Sequence, residues 1–83
     1  MTAVRVRFFA TLREPVGCRE LAVDGVRDIA ALWRYLECSL PATAIAALRA
    51  TGVRIAVNQE MIEHNATLVA GDEVAFLPPI TGG

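Results

Sequence analysis

The sequence predicts an α+β domain: one sheet of four to five strands with one main helix packed on one face. Three observations lead there. Strand-like alternation of apolar and polar residues appears near the start, as Val4-Arg5-Val6-Arg7-Phe8. A β-rich run, Glu73-Val74-Ala75-Phe76-Leu77, appears near the end. Between them Ile29, Leu32, Trp33 and Leu36 recur at the spacing of one helical face. A sheet with that helix on one side would bury every apolar stripe in the chain.

Taken in order, the first strand points Val4, Val6 and Phe8 inward, and Phe9 breaks the alternation as a strand end or an apolar outer patch. Ala10 to Gly17 has turn chemistry with room for one helical turn. Arg19 to Val23 alternates again with Leu21 and Val23 inward, and pairs most simply with the first strand as an antiparallel hairpin. Asp24-Gly25 turns the chain. Asp28 suits an N-cap for the main helix, whose outer face carries Arg34 and Glu37 while Trp33 covers the sheet. Ser39 to Thr51 is alanine-rich and predicts a second, short helix: Pro41 at its start, Ile45 and Leu48 inward, and Gly52 as C′ after Arg49. Val53 to Val57 is a third strand, and Asn58-Gln59-Glu60 a tight turn into a short strand at Met61-Ile62. His64 and Asn65 fall in a polar connection, and Asp72 and Glu73 are turn and surface groups before the last strand.

The chain has 83 residues, enough for one small domain, and its 54% apolar content argues against disorder. A net charge of −1 gives no electrostatic case for nucleic acid. The apolar runs are too short for a membrane span, and Met1 to Arg7 lacks a signal-peptide core, so a cytoplasmic location is expected. Cys18 and Cys38, twenty positions apart with a single histidine in the chain, are not metal-ligand spacing. All eight basic residues are arginine, so no side chain here can accept an isopeptide bond.

The stretch from Phe76 to Gly83 carries the functional signal. Pro78-Pro79 ends the last strand, because proline has no N–H for a ladder and fixes φ near about −65°. The division expected is a body of residues 1–77 and a projecting tail of residues 78–83, Pro-Pro-Ile-Thr-Gly-Gly. A stiff proline pair followed by Ile80, Thr81, Gly82 and Gly83 reaches about 20 Å and is thin enough at its tip for a narrow pocket. The reactive group it would deliver is the Gly83 carboxylate, inert until another enzyme activates it, for instance as an acyl-adenylate. No phosphate loop, catalytic triad or tuned carboxylate pair is legible elsewhere.

Phe8-Phe9-Ala10 with Leu12-Arg13-Glu14 and Gly17, then Val57-Asn58-Gln59-Glu60, then Gly71 to Gly83 resemble the small subunit of molybdopterin synthase, the MoaD-type sulfur carrier. The resemblance implies a ubiquitin-like β-grasp with a mixed sheet, its first and last strands side by side and parallel. It implies a sulfur-donating subunit, with the catalytic groups on the large synthase subunit. An E1-like adenylyltransferase, using ATP, would activate Gly83. A sulfur donor protein would make the thiocarboxylate, and its sulfur would go to cyclic pyranopterin monophosphate. No cofactor or metal is expected on this chain, and the family suggests a heterotetramer. Phe9, Phe76, Leu77, Pro78, Pro79, Ile80, Thr81 and Gly82 would face the partner. The rival readings are a sulfur carrier for thiamine or another sulfur pathway, a ubiquitin-like modifier that acylates lysine, and a β-grasp interaction module with an inert tail.

Overall fold

The computed structural model describes residues 3–79. Five strands form one sheet: β1 (Ala3–Phe8), β2 (Glu20–Asp24), β3 (Arg54–Val57), β4 (Glu60–Ile62) and β5 (Glu73–Leu77), in the order β2-β1-β5-β3-β4. The β1–β2 hairpin is antiparallel with Val6 opposite Leu21. β5 occupies the centre, parallel to β1 and antiparallel to β3. This is the β-grasp arrangement, with the first and last strands paired as expected.

The main helix, α2 (Ile29–Ser39), starts where Asp28 caps it: the Ala31 N–H donates to Asp28 Oδ1 at 2.8 Å. Asn65, expected only in a polar connection, extends the cap. Its Oδ1 accepts from the Ala30 N–H at 2.9 Å and its amide donates to Asp28 at 3.3 Å. A residue 35 positions downstream of Ala30 thus satisfies one N–H that a helix start leaves open. A 3-10 turn at Ala10–Leu12 runs into the short α1 (Arg13–Val16), and the alanine-rich segment forms α3 (Ala42–Leu48). Leu48 is buried as expected and Ile45 is half-buried, with Ala44 taking the deeper position.

The core lies between the sheet and the helices, around Val4, Val6, Phe8, Val23, Leu32, Leu36, Leu48, Val74 and Phe76. Each large side chain buried there contributes roughly 1.5–3 kcal/mol. Phe8 stacks on Phe76 at 5.6 Å between ring centroids, and Trp33 meets Phe76 edge-on at 5.4 Å. Trp33 is only half-buried, and the Arg49 guanidinium covers its other side at 4.1 Å from the ring centre.

Two turn assignments carry structural detail the sequence did not show. Asn58 and Gln59 have φ of 51° and 70°, the left-handed pair of a two-residue hairpin that sets Val57 opposite Glu60. Gly52 is not the C′ residue of α3. That helix caps at Arg49, and Gly52 follows three residues later at φ 90°, in the turn into β3.

Candidate functional site

The sheet's two faces divide the site from the core. In register, Val6 pairs with Val74, and Phe8 with Phe76, and all four point to the helices. The intervening residues point the other way: Arg7 pairs with Ala75, Ala75 with Ala56, and Ala56 with Met61. One step further, the Phe9 N–H donates to the Phe76 carbonyl at 3.2 Å, which carries the pairing to Phe9 beside Leu77.

The outer face is therefore ion-paired at one end and largely apolar at the other, where the exposed Arg54 stands opposite Leu77. Arg5, Arg7, Glu20 and Glu73 form an ion-pair group, with Arg5–Glu20 and Arg7–Glu73 both at 3.3 Å. These pairs are partly exposed and contribute little stability. Beyond them Ala75 and Ala56 make a flat floor, bordered by Phe9, Leu77 and Met61. Arg7 places its guanidinium 5.1 Å from the Phe9 ring centre, holding that ring at the boundary. The apolar end is the end at which β5 runs into Pro78.

Of the expected partner-facing residues, Phe9, Leu77 and Pro78 are half-buried and Pro79 is exposed, all near the root of the tail. Phe76 is a correction. Its side chain is 0% exposed between Phe8 and Trp33, because alternation along β5 turns it inward. Ile80, Thr81, Gly82 and Gly83 lie outside the described residues. Met61 was missed. It is 54% exposed and shares the outer row with Ala56 and Ala75. The signal was available in the tight turn: setting Glu60 against Val57 places Met61 against Ala56.

The start of β5 is locked by polar contacts. The Val69 N–H donates to Asp72 at 2.9 Å and the Asn58 amide donates to it at 3.0 Å. Asn58 also accepts from the Glu73 N–H at 3.0 Å and donates its own N–H to the Glu73 carbonyl at 2.7 Å. The Val69 N–H, then the Asn58 amide, hold the Asp72 carboxyl below the usual aspartate range. The Ala31 N–H, then Asn65, do the same for Asp28.

On the helix side a groove of about 700 Å³ opens between α2 and β3–β4, lined by Ile29, Trp33, Val53, Ile55, Ile62 and His64. His64 is exposed. Among the described residues no three of His, Cys, Asp and Glu cluster to hold a metal ion, and no helix is long and apolar enough to cross a membrane.

A β-grasp body whose central strand runs into a proline-stiffened terminus has the plan of the ubiquitin-like carrier and modifier domains. Residues 6–83 match the ThiS family model, and the chain belongs to that family. It is 39% identical over 82 residues to the molybdopterin synthase sulfur carrier subunit of Escherichia coli strain K12, covering 96% of this chain and 99% of that protein. Among solved structures it resembles the complex of subunits 1 and 2 of molybdopterin-converting factor from Helicobacter pylori 26695. The TM-score there is 0.72 at 27% identity, over 100% of both chains. Small archaeal modifier protein 1 from Methanosarcina acetivorans gives 0.79 at 27% identity, over 98% of this chain and 96% of that one.

Proposed function

We propose that this chain is the sulfur-carrying small subunit of a molybdopterin synthase, working through the Gly83 carboxylate. The observation that carries the reading is the position of β5. It is clamped between β1 and β3, locked at its start by Asn58 and Asp72, and continuous with the proline pair. A terminus rooted in the central strand reaches a partner's pocket at less entropic cost than one on a loose linker. The kinship to the Escherichia coli carrier supports the choice of pathway.

In this reading an E1-like adenylyltransferase joins the Gly83 carboxylate to AMP and releases pyrophosphate from ATP. A sulfur donor protein delivers sulfide-level sulfur to the acyl carbon, AMP departs, and a thiocarboxylate results. The large subunit admits the tail, and the sulfur passes to cyclic pyranopterin monophosphate as the dithiolene is built. Water returns the carboxylate. The acid–base groups belong to the large subunit. This chain supplies the docking surface of Phe9, Leu77 and Met61 over the Ala56–Ala75 floor, with Pro78 and Pro79 leading to the residues that enter the pocket. The cycle belongs in the cytoplasm, where ATP is available.

Deleting Gly83 tests the reading. The variant should unfold at the wild-type temperature and still bind the large subunit through the outer face, yet support no molybdopterin synthesis in a reconstituted system. Synthesis at the wild-type rate would end the proposal. The likeness to the archaeal modifier protein supports one rival, a protein modifier. Peptides from host extracts carrying Gly83 in isopeptide linkage to lysine would move the assignment there.

A further inference from the structure

Four described glycines have positive φ: Gly17, Gly25, Gly52 and Gly71. Three face open space, with nothing within 4 Å of where a Cβ would sit. Gly52 differs. A Cβ there would lie 2.8 Å from Pro79 Cβ and 3.3 Å from Pro79 Cγ.

The sheet register explains the contact. Along β3 and β5 the pairs run Val57–Val74, Ala56–Ala75, Ile55–Phe76 and Arg54–Leu77. Continued two steps, the same register sets Val53 against Pro78 and Gly52 against Pro79. Prolines cannot donate to a ladder, so the hydrogen bonding that β5 itself donates is lost there. Packing replaces it: the Pro79 ring lies on the bare face of Gly52.

We infer that Gly52 is a positioning residue for the terminus. The space left by its missing side chain seats Pro79, and that seat sets the direction in which the chain beyond Pro79 leaves the body. A proline ring cannot rotate out of the way, because it is closed onto its own backbone. Any Cβ at position 52 must therefore move the Pro79 backbone, or the turn itself. A displacement at the root moves the point from which the last four residues start toward a partner's active site. This inference rests on the carrier reading given above.

The internal control is Gly17, which has the same φ of 90° as Gly52 but no neighbour to strike. Full-length Gly52→Ala and Gly17→Ala both force alanine into a left-handed backbone, and both should lower the unfolding temperature. Three readouts are compared: unfolding temperature, affinity for the large subunit, and the single-turnover rate of sulfur transfer from thiocarboxylated protein. The transfer rate of Gly52→Ala should fall roughly 10–100-fold, as expected for a reactive group misplaced by up to an ångström. Its affinity should stay within about threefold, since the outer face is intact. Gly17→Ala should keep both within about threefold. In a Pro79→Gly background, where the ring is gone, Gly52→Ala should slow transfer no more than Gly17→Ala does.

Transfer by Gly52→Ala as fast as by Gly17→Ala, with the wild type active, would overturn the inference and leave the carrier reading standing. A wild-type protein that never carries sulfur would remove the carrier reading itself, and this inference with it.

Discussion

Phe76 and Leu77 are adjacent in sequence and sit on opposite faces of β5. Phe76 fills the core between Phe8 and Trp33, whereas Leu77 borders the outer face near Phe9. Their substitutions should separate cleanly. Phe76→Ala should cost about 3–5 kcal/mol in urea unfolding, a large share of the total for a domain this small. Leu77→Asp should change stability by about 1 kcal/mol or less and weaken large-subunit binding at least tenfold, roughly the loss of one interface anchor. The opposite pattern would reverse the assignment of faces. The sequence could not decide it, because Val74-Ala75-Phe76-Leu77 is apolar throughout and shows no alternation to mark the inner face.

Asp28 and Asp72 make a pH prediction at the same scale. Both have folded-state pKa values depressed by the N–H groups they accept from, Ala31 and Val69 respectively. A depressed carboxylate contributes stability that is complete above its unfolded pKa, near about 3.9, and is lost as pH falls through the lower folded value. Thermal unfolding followed from pH 7 downward should therefore hold level on account of these groups until about pH 5 and then fall. The Asp28→Asn and Asp72→Asn variants should each show a shallower fall.

At the scale of elements, the turn between β3 and β4 carries a local cost. Gln59 holds φ 70° without being glycine or asparagine, whereas Asn58 beside it is secured by Asp72 and Glu73. Relieving a left-handed residue gains on the order of 1 kcal/mol, partly offset by the freer unfolded chain. Gln59→Gly should accordingly raise the unfolding temperature by a few degrees, roughly the shift that 1 kcal/mol gives a domain of this size. A lower unfolding temperature would mean that the Gln59 side chain contributes something the backbone argument omits. Most elements were legible from periodicity, which reports one face at a time. What escaped were residues defined by distant partners: Asn65 capping a helix that starts 36 residues earlier, and Gly52 matched to a ring at Pro79. Met61 escaped because Met61-Ile62 is apolar at both positions, and only the register says which one faces out.

For the whole molecule, the body is a frame around one strand. β1 and β3 clamp β5, the helices cover one side of it, and the other side is largely apolar toward the exit of the chain, with Arg54 at its edge. That plan was readable in outline, because strand–strand–helix–helix–strand–strand–strand leaves few ways to bury every stripe. The pairing of first and last strands came from family likeness, since no local pattern encodes a contact across 68 positions. The proline pair at the root of the tail was readable, but the outer face beside it was not.

The most direct test of the carrier claim is the intact mass of the protein isolated from a host with its sulfur pathway active, followed by fragmentation of the C-terminal peptide. A fraction should be heavier by the difference between sulfur and oxygen, with the change confined to Gly83, and that fraction should disappear when the activating enzyme is deleted. A single unmodified mass under those conditions, in a host that is making molybdopterin, would contradict the account.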